Sequence, residues 1–244
     1  MDTLVIQKLE KIAKELDPTI RRRKVGHLEV STTILSFLKS GLPWRYISEP
    51  AATHHTFFKR FNKWMRLGVF KRVCKELQDE YSSMRLQEDC NWFKELYIDT
   101  TMMKNVGGCD GLGKNPSDRG RLATKLSVIC DNNEVPISST FFPANRNDVT
   151  TVYDSVAAIS CNFKVDGRMV TTLVGDKAYI SKPVSEILRM MNVRMIAPLK
   201  NNARKKHLSH GFDLSSNGCC CRKTFFFFLT KLDHLIAGVV NTLT

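Results

Sequence analysis

The sequence predicts an α/β protein in which a mixed β-sheet flanked by helices follows a small all-helical domain. Three observations predict this fold class. Apolar residues recur at helical spacing through the first ninety residues, whereas short strand-like apolar runs alternate with helical segments from Glu95 onward. The chain has 244 residues, of which 43% are hydrophobic and 25% charged, so it can bury a sizeable core. We expect a helical region over residues 1–90 and an α/β core over 91–217.

The helical region begins with an amphipathic helix over residues 1–20, which Asp17-Pro18 ends. A second apolar stripe starts at Val30 and breaks at residues 39–44, which contain a helix-ending glycine and a proline. A helix rich in aromatic and basic residues then covers residues 57–66. A helix, a tight glycine-containing turn and a basic helix outline a helix-turn-helix-like module, whose last helix can enter a DNA major groove.

The aromatic residues of this basic helix are predicted to be core rather than a platform for stacking bases. The predicted DNA contacts are the basic residues around them and Arg45 of the preceding turn. They are Arg45, Lys59, Arg60, Lys63 and Arg66.

The core is predicted to begin with three strands, and Asp131–Glu134 forms the hairpin turn between the second and third. A helix, a strand, a helix and a strand follow. The predicted bounds are strands 96–101, 124–130 and 135–142, helix 148–159, strand 169–174, helix 183–191 and strand 193–197. This order is expected of a ribonuclease H-like domain, in which the first and fourth strands lie side by side.

Two acids stand on these two neighbouring strands. Asp99 follows the apolar run that begins at Leu96, and Asp176 ends the run that begins at Thr171. An isolated Asp at a strand end is often only a turn cap. A pair on adjacent strands is different, because carboxylate oxygens are the ligands that hard divalent cations prefer. The sequence therefore predicts a metal site for phosphate chemistry.

The charge balance indicates a polyanionic partner. The chain has 37 Lys and Arg against 24 Asp and Glu, a net charge of +13, and neutralising DNA phosphates releases condensed counterions. A membrane surface would attract the same charge, but the longest apolar runs are far shorter than the roughly 20 residues of a spanning helix. The N-terminal residues do not resemble a signal peptide. We expect an intracellular protein, located with DNA in a bacterial cytoplasm or a eukaryotic nucleus.

Two other features predict no further site. The eight cysteines include no Cys-x-x-Cys pair and are interpreted as reduced thiols. The glycine-rich segment 107–120 is predicted to be a loop, and it lacks the spacing of a phosphate-cradling motif.

Several motifs in a fixed order resemble insertion-sequence transposases of the DDE type, which belong to the ribonuclease H-like superfamily. The turn Gly41-Leu42-Pro43-Trp44-Arg45 resembles the helical DNA-binding region of that family. Four motifs of the core are similar as well. They are Ile98-Asp99-Thr100-Thr101, Asp118–Arg121 with Thr124-Lys125, Ala144–Asp148, and Gly175-Asp176-Lys177-Ala178-Tyr179.

The resemblance implies DNA transposition. Asp99 and Asp176 would be catalytic residues and ligands of Mg²⁺ or Mn²⁺ in a two-metal site, with double-stranded DNA, meaning terminal inverted repeats and target DNA, as substrate. A homodimer on the DNA is left open. Further DNA contacts would come from Arg119, Arg121, Lys125 and Lys200. Asn145 and Asp148 would contact phosphate or orient ligands, although Asp148 could instead be an N-cap.

The third acid of the family, a Glu some 40 to 50 residues after the second Asp, has no counterpart at the expected place. That interval contains Cys219-Cys220-Cys221 and four consecutive Phe residues. Shifting the reading frame by one nucleotide at Cys219 allows Val-Val-Val-Glu-Lys-x-Phe, which fits the family motif. One hypothesis is therefore a frameshift that makes residues 218–244 an aberrant tail. The other is a diverged in-frame tail in which Asp213 or Asp233 substitutes.

Two functions follow from these alternatives. The chain is either a transposase that cuts and joins DNA, whose activity the lack of the third carboxylate puts in question, or a non-catalytic DNA-binding remnant or repressor of a mobile element.

Overall fold

The computed structural model describes residues 2–18, 25–40, 42–89, 92–105, 111–133, 135–159 and 171–198. The chain separates into two compact units between Tyr81 and Ser82. The predictions for Lys200, Asp213, Asp233 and the tail 218–244 lie outside the described residues. Of the eight cysteines, the described ranges include Cys74 and Cys130, and both are free thiols.

The first unit is helical, as predicted. Its helices among the described residues are α1 (Asp2–Leu16), α2 (His27–Ser40), α3 (His54–Arg66) and the first part of α4 (Val69–Glu88), which continues past Tyr81 into the second unit. A short 3-10 helix lies at Trp44–Tyr46 between α2 and α3. Phe57, Phe61 and Trp64 of α3 are buried in its core. This confirms that the aromatic stripe is core. The helix-turn-helix assignment stays a prediction.

A buried carboxylate joins α3 to the end of α1. Asp17 follows α1 and accepts hydrogen bonds from Lys63 Nζ at 2.7 Å and from the indole Nε1 of Trp64 at 3.0 Å. Arg60 Nε lies 3.5 Å from the same carboxylate. His27 Nε2 donates to the Asp17 backbone carbonyl at 2.7 Å, which ties the start of α2 to the same point. Asp17 therefore connects three helices of this unit.

Within the described residues, the second unit contains a six-stranded mixed sheet. Its strands are β1 (Glu95–Lys104), β2 (Gly113–Lys114), β3 (Leu122–Cys130), β4 (Pro136–Pro143), β5 (Thr171–Val174) and β6 (Val193–Ile196). Two helices connect the later strands, α5 (Asp148–Ala157) and α6 (Lys182–Met190). The strand order is β2-β3-β1-β5-β6, and β4 also pairs with β3.

The pairing confirms the ribonuclease H-like prediction. Strands β1, β3 and β4 form an antiparallel meander, and β5 then adds to β1 in parallel, followed by β6 in parallel with β5. The predicted turn between β3 and β4 is also present, because Asp131 Oδ1 accepts hydrogen bonds from the amides of Asn133 and Val135, each at 2.9 Å. The sequence did not predict β2, whose two residues lie in the glycine-rich segment expected to be a loop.

Helix α5 packs against the sheet through buried hydroxyl groups. Ser155 Oγ is 2.8 Å from Ser127 Oγ of β3, and Ser138 Oγ of β4 donates to the Ser155 carbonyl at 2.8 Å. Because each buried hydroxyl has a partner, the polar contact does not cost the fold an unmet hydrogen bond. It fixes α5 over one face of β3.

No helix within the described ranges is both long and apolar enough to cross a membrane.

Candidate active site

The parallel pairing of β1 with β5 brings the two predicted acids to neighbouring positions. Tyr97 of β1 is in register with Val174, the last residue of β5. Asp99 and Asp176 each lie two residues further along, so they occupy equivalent places on two neighbouring segments of the chain. The sequence pattern alone predicted this juxtaposition, because it depends only on the strand order.

Local hydrogen bonds orient each carboxylate. Asp99 Oδ1 accepts from the amide of Thr100 at 2.7 Å. Asp176 Oδ1 accepts from the amide of Ala178 at 2.7 Å and so caps the 3-10 helix Lys177–Tyr179. The turn-cap interpretation of Asp176 is therefore correct for one of its oxygens, and it is compatible with a place beside Asp99.

Gly175 is required between Val174 and Asp176. A Cβ at this position would lie 2.8 Å from Cδ2 of the Tyr179 ring, 2.7 Å from Cε of Met195 and 3.1 Å from Cγ2 of Ile98. A buried aromatic ring cannot move aside as a flexible methionine terminus can. Glycine therefore lets the chain turn closely over Tyr179 and places Asp176 just beyond the end of β5.

Tyr179 is buried among the acids of the site and is only 1% exposed. Burial, and then the charges of Asp99, Asp148 and Asp176, raise its pKa far above the usual range, while an interaction with the Thr100 side chain lowers it. No group among the described residues meets full hydrogen-bond geometry with its hydroxyl. Burial therefore favours the neutral form of the phenol.

A cluster of three polar side chains lies on the side of β1 that faces α5. Thr100 Oγ1 donates to Asp148 Oδ1 at 2.9 Å. Lys125 Nζ contacts the same carboxylate oxygen and the backbone carbonyl of Arg146. The N-cap of α5 is Asn147 and not Asp148. The N-cap alternative for Asp148 is therefore wrong, since its side chain is directed at Thr100 and Lys125.

The predicted DNA contacts fall into two groups. Exposed cations face solvent, and they are Arg45, Lys59, Arg66, Arg119 and Arg121. Lys63 is 45% exposed although it pairs with Asp17.

The structure places Arg60 and Lys125 differently. The Arg60 side chain is 12% exposed beside Asp17, and Lys125 is 3% exposed beside Asp148. Each neutralises a carboxylate inside its own unit, so neither charge faces solvent. Sequence reasoning treated them as surface cations because the acids that pair with them are remote in sequence.

The remaining predicted residue, Asn145, is exposed. Its Oδ1 would be 2.2 Å from a Cβ at Gly113, so the Asn145 side chain covers the β2 backbone. Sequence reasoning missed the contacts of Thr100 and Tyr179, although both stand inside the motifs that contain the two predicted catalytic acids.

The carboxylates at this site supply some of the ligands that a hard divalent cation requires. Two carboxylates, Asp99 and Asp176, lie on neighbouring segments of the chain. Asp176 has no ion-pair partner among the described residues, whereas Lys125 balances the charge of Asp148. Within the described ranges no three His, Cys, Asp or Glu side chains come together as a metal site. Asp99 and Asp176 therefore offer two carboxylates, fewer than a complete set of acidic ligands.

Comparison with known proteins agrees with this geometry. The model of the transposase DDE domain matches residues 94–224, which is more than half of the chain. No curated protein sequence matches this chain.

The solved structures that the chain resembles are distant. A piggyBac transposase synaptic complex with hairpin DNA shares 11% identity at a TM-score of 0.35, with 86% of this chain and 45% of that chain covered. A pre-cleavage Mos1 transpososome shares 9% identity at 0.31, with 93% and 78% covered. The chain spans less than half the length of the piggyBac protein. On the strength of the domain match, this chain belongs to the family of DDE-domain transposases.

Proposed function

We propose that this protein is a DNA transposase that carries out metal-dependent phosphoryl transfer at Asp99 and Asp176. The observation that carries the proposal is the register of β1 and β5. Each acid lies two residues beyond the paired residues Tyr97 and Val174 on these neighbouring strands. Asp99 and Asp176 would hold Mg²⁺ or Mn²⁺, which supplies Lewis-acid stabilisation of the attacking and leaving oxygens. The amides of Thr100 and Ala178 fix one oxygen of each carboxylate.

The substrate that we propose is double-stranded DNA, first the terminal inverted repeats of the element and then target DNA. The exposed face of α3 supports this choice. Lys59, Lys63 and Arg66 follow each other at spacings of four and three residues, so they lie on one side of the helix. Arg45 stands nearby in sequence and contacts the Tyr46 ring. In the second unit, Arg119 and Arg121 add exposed positive charge.

Removing charge from α3 is expected to weaken the salt dependence of DNA binding. Each lost phosphate contact reduces the magnitude of the slope of log K against log salt by about 0.9. The slope of the double variant Lys59→Ser with Arg66→Ser should therefore be smaller in magnitude by about 1.8. Fluorescence anisotropy of a labelled duplex at several salt concentrations measures the slope. Lys71→Ser with Lys75→Ser removes two exposed charges from α4 as the matched control. Equal losses in both variants would show that α3 is not the contact surface.

The enzyme proposal is tested by incubating the protein with supercoiled plasmid that carries the DNA flanking its gene. We expect strand cleavage with Mn²⁺ or Mg²⁺ and none with EDTA. The second candidate is a non-catalytic DNA-binding remnant or repressor, which is favoured because no third acid completes a metal-binding group with Asp99 and Asp176 among the described residues. Duplex binding without cleavage under any metal condition would select that candidate.

A further inference from the structure

We propose that Thr100, Asp148 and Lys125 form a clamp that positions the Asp99 carboxylate for the reaction. None of the three is proposed to touch DNA or metal, so they are positioning residues. The inference rests on the proposed function for its kinetic consequence. Its structural part, the hold on Asp99, can be measured without any reaction.

Thr100 connects the two sides of β1. Its amide donates to Asp99 Oδ1 at 2.7 Å, and its hydroxyl donates to Asp148 Oδ1 at 2.9 Å. Successive side chains of a strand point to opposite faces, so the hydroxyl is on the other face of β1 from the Asp99 carboxylate. The register agrees, because Thr100 is opposite Ser127, whose hydroxyl contacts Ser155 of α5. One residue thus links the catalytic acid to α5.

Lys125 fixes the other end of this link. It is 3% exposed, so its ammonium group has little access to water and depends on the Asp148 carboxylate and the Arg146 carbonyl. Breaking a buried ion pair by removing one partner is strongly unfavourable. Asp148 is therefore held in place by a charge that has no other acid partner among the described residues.

The position of Asp148 adds to this hold. It is the first residue of α5, where a negative side chain is favoured by the helix dipole. Further along α5, the hydrogen bonds of Ser155 to β3 and β4 fix the helix over the sheet. The acceptor for the Thr100 hydroxyl therefore has a fixed location relative to β1.

The experiment uses the full chain with Thr100→Val, which removes one hydroxyl and leaves the Lys125–Asp148 pair intact, so folding should survive. Asp148→Asn is the second variant. Thr100→Ser restores the hydroxyl, and Thr124→Val makes the same change on β3. The readouts are exchange of the residue-100 amide by NMR, duplex affinity, and kcat and KM for plasmid cleavage.

We expect the residue-100 amide to exchange about 2- to 10-fold faster in Thr100→Val and Asp148→Asn, as the loss of one hydrogen bond predicts. The kcat should fall about 10- to 100-fold, as for partners that orient metal ligands, with KM and duplex affinity unchanged. Thr100→Ser should restore both values, and Thr124→Val should change neither.

Unchanged amide exchange in both variants would overturn the clamp. A loss of duplex affinity that matches the loss of rate would also overturn it and would place these residues at the DNA instead. If the wild-type protein cleaves no DNA, the proposed function fails, but the exchange measurement still decides whether the clamp holds Asp99.

Discussion

Replacing Asp99 with asparagine is expected to abolish metal-dependent cleavage, with a loss of about 1000-fold or more. Asparagine keeps the shape of the side chain and an oxygen that can accept the Thr100 amide. It removes the negative charge that a hard cation requires. Stabilisation of several kcal/mol by a bound metal corresponds to this rate loss, since about 1.4 kcal/mol is a factor of ten.

The measurement is the plasmid cleavage rate with Mn²⁺, together with duplex affinity by gel shift. Duplex affinity should stay near the wild-type value, because the exposed cations are unchanged. Glu186→Gln is the matched control, since it removes the same charge from an exposed position on α6. Cleavage by Asp99→Asn at the wild-type rate would exclude a metal-ligand role for this residue.

Replacing Asp17 with asparagine is expected to destabilise the helical unit by about 3 kcal/mol. Loss of one partner from a buried ion pair costs about 3–5 kcal/mol, and the lower value applies because Lys63 is 45% exposed and can turn to water. Arg60 cannot do so as readily, with a side chain that is 12% exposed. The indole of Trp64 also loses a charged acceptor.

Urea unfolding followed by tryptophan fluorescence measures this loss, because Trp44 and Trp64 both lie in the core of the helical unit. Glu10→Gln is the control. It removes an acid from the i,i+4 pair with the exposed Lys14, and such surface pairs contribute less than about 1 kcal/mol. Similar urea midpoints for the two variants would mean that Asp17 is not the structural centre of this unit.

The candidate site was predictable wherever it depends on strand order. Apolar runs at strand spacing indicated β1, β3, β4, β5 and β6, and the meander followed by helix connections fixed β1 beside β5. Asp99 and Asp176 belong to or follow neighbouring strands for this reason. In contrast, the two-residue strand β2 could not be predicted, because its glycine-rich segment has no apolar period.

The roles of the cations were not predictable in the same way. Lys59 and Arg60 are adjacent in sequence and both were expected to contact DNA, yet one is exposed and the other lies beside Asp17. The sequence gives no indication of the difference, because Asp17 lies just after α1 and is remote from α3 in sequence. Lys125 shows the same effect with Asp148, which belongs to a separate helix.

The sequence by itself determined the fold class, the order of the strands and the pair of acids, because periodicity and motif spacing are local properties of the chain. Only the tertiary structure decided which charges face solvent and which are neutralised inside. It placed Lys125 beside Asp148 and Arg60 beside Asp17, and it buried the Tyr179 ring against Gly175. The physical reason is that burial and ion pairing depend on which remote segments meet, and a charged residue has the same local sequence signature in either place.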